Sequence, residues 1–302
     1  MKIGKKPARP GSVKLRLRDY LNYKALPVPP ASFDYSSRLP ADVGMLGNDS
    51  VGDCTCADAD HVVMIWRALA GSLPATFSAA NALADYSAIT GYDPADPATD
   101  QGADMQQVAS YRLKTGMIDV AGIRHKVGAY VAIAPGDVAT VALAAWMFGA
   151  VDIGIAVSSA QIDQFNKNQP WSGALAADAG GHAVPVVGTT AAGQLVVLTW
   201  GRRQLVDPAF FRANNDENIV CLSRESIKGG LGPTGVNVAQ LDVDLLAMQS
   251  APPPPDTYVV IPGDTLYGIA RSFGGITAGS IAALNKIAPP YVIHPGQQLR
   301  LT

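Results

Sequence analysis

The sequence predicts an α+β protein in two folded parts, and three observations carry that prediction. Helical apolar spacing dominates residues 54–148, and strand-like apolar runs follow from 150 to 222. That segregation departs from the strand–helix alternation of a parallel sheet. Four prolines at 252–255 then set off a C-terminal stretch whose own pattern is strand, helix, helix, strand. With 302 residues, 48% apolar and 16% charged, the chain can bury one large core and a small satellite core. The expected division is a basic arm at 1–30, a large domain at 31–250, a semi-rigid proline linker at 251–256 and a small βααβ domain at 257–302.

The arm comes first. Eight of the 23 basic residues lie in the first 24 positions beside one acid, Asp19, which leaves 15 basic and 24 acidic residues, a net −9, for the remainder. Such an arm reads as a solvated tail or as a docking segment for an acidic partner. The alternation Val13-Lys14-Leu15-Arg16-Leu17-Arg18 predicts a short strand with one side against something apolar. Helices follow at 54–70, where Val62, Trp66 and Leu69 share a face and Gly71 is the stop, and then at 78–90, 105–114 and 138–148. Strands are expected at 150–157, 182–188, 194–199 and 218–222. His61 reads as a packed or surface side chain, and His125, between Arg124 and Lys126, as an exposed one. Cys56, Cys221 and the Trp146-Met147-Phe148 cluster read as core.

Several function classes are excluded. No run approaches the roughly 18 apolar residues of a membrane span; the longest candidate, 138–157, is broken by Gly149, Asp152 and Gly154. The opening Met1-Lys2-Ile3-Gly4-Lys5-Lys6-Pro7 has no apolar core and is not expected to be a signal peptide. Three cysteines make no even disulfide framework, and Cys54 and Cys56 have no second closely spaced ligand pair, so neither a metal nor another cofactor is expected. Nucleic acid is not an expected partner.

One cysteine stands where chemistry would want it. The turn-rich segment Gly47-Asn48-Asp49-Ser50-Val51-Gly52-Asp53 delivers Cys54 to the first turn of a long helix, where backbone N–H groups and the helix dipole lower a thiol pKa. The candidate base is His182, in Gly180-Gly181-His182-Ala183-Val184, at the start of an apolar strand.

With these residues in place, the domain resembles the papain-like cysteine peptidases from about 45 to 222. The family has an amide residue six positions before its cysteine, more often Gln, and Asn48 stands there. The run Gly149-Ala150-Val151-Asp152-Ile153-Gly154-Ile155 matches the family's entry into its buried strand, and Gln101-Gly102-Ala103-Asp104-Met105 with Tyr111 and Gly116 matches the loop and helix between cysteine and histidine. The resemblance implies a Cys54–His182 pair, an oxyanion site from Asn48 and the Cys54 N–H, and a shielding role for Trp200. The departure is at Leu198, where the family has an Asn that orients the imidazole. Leucine offers no hydrogen bond, which leaves Thr199 or Asp207 to fill that place.

The C-terminal stretch resembles a LysM module. Tyr258-Val259-Val260-Ile261-Pro262-Gly263-Asp264-Thr265-Leu266 opens it and Ile293-His294-Pro295-Gly296 with 297–301 closes it. Val259 and Ile261 alternate as in a strand; Asp264 or Thr265 caps a helix burying Leu266, Ile269, Ala270 and Phe273; Ser280 caps a second, with Ile281 and Leu284 as its apolar face, before Pro289-Pro290 and a last strand at 298–301. The resemblance implies binding of peptidoglycan or another N-acetylglucosamine-containing glycan through Gly263, Asp264, Thr265, Leu266, Ile293, His294 and Pro295.

Together these expectations describe a wall-directed cysteine amidase or peptidase of bacteriophage or prophage type, released at lysis or carried in a virion. The alternative is a non-catalytic virion protein that uses a papain-like scaffold and LysM to hold host glycan, its arm meeting other virion subunits. A third is a secreted effector peptidase acting on protein, with LysM as a retention device.

Overall fold

The computed structural model describes residues 1–9, 13, 15–17, 28–73, 75–226, 232, 234, 256–261, 264–273 and 276–301. The proline run 252–255 and the sugar-site candidate Gly263 lie outside them.

A mixed core of helices and antiparallel strands forms the large domain. Its helices are α1 (Cys54–Leu69), α2 (Ala79–Thr90), α3 (Met105–Lys114), α4 (Val138–Phe148), α5 (Ser159–Asn166) and α6 (Pro208–Asn214). Each expected helix is present, and the caps explain the boundaries. Ser78 and Asn81 make a reciprocal capping box on α2, while the Asp104 carboxylate accepts from the N–H groups of Gln106 and Gln107 at the start of α3. The Leu15–Leu17 segment does lie against the core, with Ala132 N–H donating to Leu15 O and Leu17 fully buried.

The strands are β1 (Phe33–Asp34), β2 (Met117–Ile118), β3 (Arg124–His125), β4 (Ala129–Ile133), β5 (Val151–Val157), β6 (Gly180–Thr189), β7 (Leu195–Thr199), β8 (Arg202–Val206) and β9 (Asn215–Leu222). The main sheet runs β4-β9-β5-β6-β7-β8, with β1 added beside β6, and every pairing is antiparallel. Alternation along the strands gives the sheet two apolar faces. Ile153, Val184, Val197 and Val220 pack with α4, α6 and Trp171, while Ala183, Val196, Leu198 and Ile219 pack with α1, α2 and α3. Leu198 thus faces a core, as an apolar residue on a doubly covered strand must.

Because α1 lies between that sheet and α2 and α3, twelve of its sixteen residues are buried, Asp58 and Asp60 among them. Burial, the largest cause, raises both carboxyls well above the usual range, with Arg112 opposing the rise. Arg112 of α3 pairs with Asp152 of β5 at 2.6 Å close by. His125 is not exposed: at 3% exposure it lies between Glu225, 2.8 Å from Nδ1, and Asp119, 3.2 Å from Nε2. Two acids distant in sequence, rather than Arg124 and Lys126 beside it, set its surroundings. No helix among the described residues is long and apolar enough to cross a membrane.

The small domain is built from β10 (Thr257–Val259), α7 (Leu266–Ser272), α8 (Ala278–Leu284) and β11 (Gln298–Arg300), the strands pairing antiparallel. Leu266, Ile269, Ile281 and Leu299 make its core. Two local expectations shift, and one alternative is decided. Val260 enters the core, whereas Val259 and Ile261 are exposed, so the strand presents its opposite face. Thr265 caps α7, while Asp264 accepts from Ile261 N–H and Tyr258 O–H. The α8 cap is Thr277, and Ser280 is its partner three residues on.

Candidate active site

The cleft forms where the start of α1 meets the ends of β6 and β7. A compact turn at 44–53 leads into α1, with Leu46 and Gly47 at φ of +56° and +101°. Within it, Asn48 is buried and its Nδ2 donates to Val51 O at 3.1 Å. Asp53, the residue preceding α1, is fully buried, and burial pushes its acid up to about 8 although Asn48 opposes the shift.

Cys54 opens α1 at 1% exposure. Position alone predicts a lowered thiol pKa, and the structure reverses that expectation. Burial pushes the thiol up to about 12, although the backbone N–H groups of Ala183 and Gly4 oppose the shift. Removing a sulfur from water costs the thiolate more than one helix terminus returns.

His182 is equally buried, and burial lowers its pKa to about 3. Its Nε2 lies 2.7 Å from Thr199 Oγ1, and its Nδ1 has no hydrogen-bond partner among the described residues. Thr199 therefore occupies the place that the departure at Leu198 left open. Asp207 is turned elsewhere, accepting from Gln194 Nε2 at 2.7 Å. A hydroxyl both donates and accepts, so Thr199 can meet either tautomer of the ring, whereas a carbonyl oxygen would select one. Trp200, with φ at +45°, stacks on the imidazole with centroids 4.6 Å apart and planes at 20°. Trp171, which sequence reading did not single out, packs edge-on against both rings and is fully buried.

The cleft is filled by the chain's own arm, which sequence reading did not foresee. Lys2 N–H donates to Asn48 O, Trp200 Nε1–H to Lys2 O, Lys5 N–H to Gly181 O and Lys6 N–H to Ala103 O, while Ala103 N–H donates to Gly4 O. Arg9 then pairs with Asp104 at 2.5 Å. The approach is close enough to require glycine on both sides. A Cβ on Gly4 would stand 2.0 Å from Gly52 O, and one on Gly102 would stand 1.9 Å from Gly4 O. With the arm seated, burial disfavours the charged form of both thiol and imidazole.

At the far end of the small domain, the turns preceding α7 and β11 lie at one end of the β10–β11 pair, joined by Gly296 N–H donating to Val260 O. His294 and Pro295 are exposed there and Ile293 is half-buried. Leu266 points into the core, and the Asp264 carboxylate is engaged within its own turn. Thr265 spends its hydroxyl on capping α7.

Comparison with known proteins agrees with both halves. Residues 258–302 match the family model of the LysM domain, and this segment is a LysM domain, a glycan-binding module. Most of the remaining chain has the papain-like cysteine protease fold. Xylellain, a cysteine protease from Xylella fastidiosa, superposes with a TM-score of 0.50 at 15% identity, covering 74% of this chain and 98% of its own. Procathepsin B S9 from Trypanosoma congolense gives 0.54 at 12% identity, over 73% and 86% of the two chains. Procathepsin L 3 of Tenebrio molitor larval midgut gives 0.50 at 19%, over 69% and 74%. No curated protein sequence matches the chain.

Proposed function

We propose that this protein is a cysteine amidase or peptidase directed at the bacterial cell wall, which cuts amide bonds in the peptide part of peptidoglycan while its LysM domain holds the glycan. The observation that supports this most is the His182 assembly: an imidazole with one nitrogen on Thr199, the other unpaired among the described residues, stacked under Trp200 in the cleft that holds Cys54. Tethering raises the local concentration of scissile bonds without new contacts at the site. Delivery at lysis or in a phage or prophage particle would bring such an enzyme to the wall.

The chemistry requires the arm to leave. His182 then takes the Cys54 proton, and the thiolate attacks the carbonyl carbon, whose oxygen becomes an oxyanion held by the Cys54 N–H and Asn48. Collapse breaks the C–N bond, and His182 protonates the departing amine, leaving a thioester. Water deprotonated by the same histidine adds to the thioester. Breaking of the C–S bond releases the acid and returns the proton to sulfur. A second reading, a non-catalytic virion scaffold, is favoured by the arm's complete occupancy of the cleft.

The deciding experiment is the pH dependence of Cys54 alkylation by iodoacetamide in a Gly4→Leu protein, with and without His182→Ala, after replacing Cys56 and Cys221 by alanine. Reaction at pH 5 to 6 that is lost with His182 supports the enzyme. A thiol titrating near the ordinary value of about 8.5 in both proteins leaves the scaffold reading.

A further inference from the structure

The side chain of Lys5 does something the arm's backbone does not require. It leaves the cleft floor beside Cys54 and enters a pocket between β5 and β9, where its exposure falls to zero. There Nζ lies 2.7 Å from Asp216 Oδ2 and 3.0 Å from Glu217 Oε1, and donates to Lys6 O at 2.9 Å.

The pocket is shaped for a straight methylene stem. Gly154 of β5 forms its wall, and a Cβ there would stand 2.1 Å from Lys5 Cε and 2.9 Å from Nζ. A side chain at 154 would force the end of the Lys5 stem to shift. The carboxylates are also braced. Glu217 Oε2 accepts from Gln106 Nε2 at 3.0 Å, and Asp216 Oδ2 also accepts from Ala8 N–H at 3.2 Å. Glu217 is mostly buried, and burial raises its pKa while Lys5 opposes that rise. Glu217 is buried while the Asp216 side chain stays 43% exposed, and the fully buried Lys5 ammonium lies within ion-pair distance of both, so the pocket is matched to a cation.

The residue that presents this ammonium is held as a passing peptide would be. Lys5 N–H donates to Gly181 O, next to His182, and the flanking Gly4 O and Lys6 N–H pair with Ala103. All of these are main-chain contacts, available to any extended peptide. Apart from the close approach at Gly4, which admits only glycine, the side-chain pocket is what distinguishes one residue from another. Gly4, against the Cys54 sulfur, is the immediate neighbour of Lys5, so the pocket reads a side chain one residue from the one lying over the nucleophile.

We propose that the Asp216–Glu217 pocket is the specificity subsite of the cleft and takes the terminal ammonium of a lysine or similar diamino-acid side chain in the substrate, Lys5 holding that place while the arm is seated. The substrate class is thus a peptide with a free primary amine on a linear side chain, adjacent to the residue at Cys54. As a substrate subsite it rests on the enzyme reading above; as an ammonium site it stands without it.

Three variants of the whole chain test it. Gly4→Leu expels the arm by collision with Gly52. It is titrated calorimetrically with N-acetyl-Gly-Lys-Gly amide and with the same peptide carrying norleucine. The lysyl peptide should bind about 10- to 100-fold more tightly, the ratio expected for hydrogen bonds to a charged group. Asp216→Asn with Glu217→Gln in the same background should bring that ratio close to one. Lys5→Ala, which leaves the rest of the arm in place, provides a check that does not depend on displacing it: n-butylammonium should raise its melting temperature and n-butanol should not. Equal binding of the two peptides, or equal effects of amine and alcohol, overturns the subsite. Lysyl preference with an unreactive Cys54 keeps the ammonium site and removes the enzyme. A reactive Cys54 with no preference does the reverse.

Discussion

The two binding surfaces of this chain are maintained in opposite ways. The cleft beside Cys54 is covered by residues 2–9 of the same chain, and the Cys54 thiol and His182 imidazole are buried to about 1% exposure. The turns of the LysM domain leave His294 and Pro295 exposed, with Ile261 at 57% exposure beside them. A glycan contact can be kept open because hydroxyl and amide recognition tolerates water. A thiolate–imidazole pair changes its protonation with every water molecule admitted. The difference teaches that, on the proposed function, glycan binding would need no trigger, whereas chemistry would need the arm moved.

The sharpest way to break the comparison is Gly4→Leu. Losing the close approach to Gly52 and Gly102 should cost on the order of 3 kcal/mol of docking and raise the rate of Cys54 alkylation about 100-fold. An unchanged rate, measured by mass spectrometry, would mean that the arm does not control access. Leu266→Asp attacks the other surface. A carboxylate placed in a core of this size should unfold the LysM domain, abolishing retention on insoluble peptidoglycan while leaving Cys54 as protected as before. Loss of Cys54 protection in that variant would show that the two surfaces are not independent.

A smaller effect comes from pH. Burial lowers the pKa of His182 to about 3 and that of His61 to about 4, so both are neutral in the fold and become protonated in the unfolded chain below about 6.5. The unfolded state binds more protons in that window, so stability should fall as pH drops from 6.5 towards 4, by up to about 1.4 kcal/mol per unit for each histidine. His61→Gln, which can keep a donor to Gly44 O, should flatten the thermal-melt slope between pH 6.5 and 4. His125 acts in the opposite sense. Despite burial, Glu225 and Asp119 raise its pKa, so its contribution is full below about 6.5 and declines as pH rises through the raised value. The smallest effect is His294→Ala, which should leave the melting temperature within about 1 °C while weakening glycan retention a few-fold. Unchanged retention would move the sugar site away from that turn.

Much of the local structure was legible in the sequence because its causes are local. α3 and α4 begin and end where spacing and capping carboxylates place them, at 105–114 and 138–148, because a helix is decided by hydrogen bonds and contacts three or four residues apart. The LysM segment was legible for the same reason. The Cys54–His182 pairing was readable only as a resemblance, since 128 positions separate the two residues.

Tertiary structure decided what lies between elements. It chose Thr199 over Asp207 beside His182, buried His125 between two acids, and reversed the expected shift at Cys54. It also turned a basic arm that reads as solvated into the occupant of the cleft, with Lys5 meeting Asp216 from 211 positions away. Composition and periodicity report what each residue prefers. Burial, and therefore pKa and partner, depends on which distant surface arrives against it, and no local pattern encodes that.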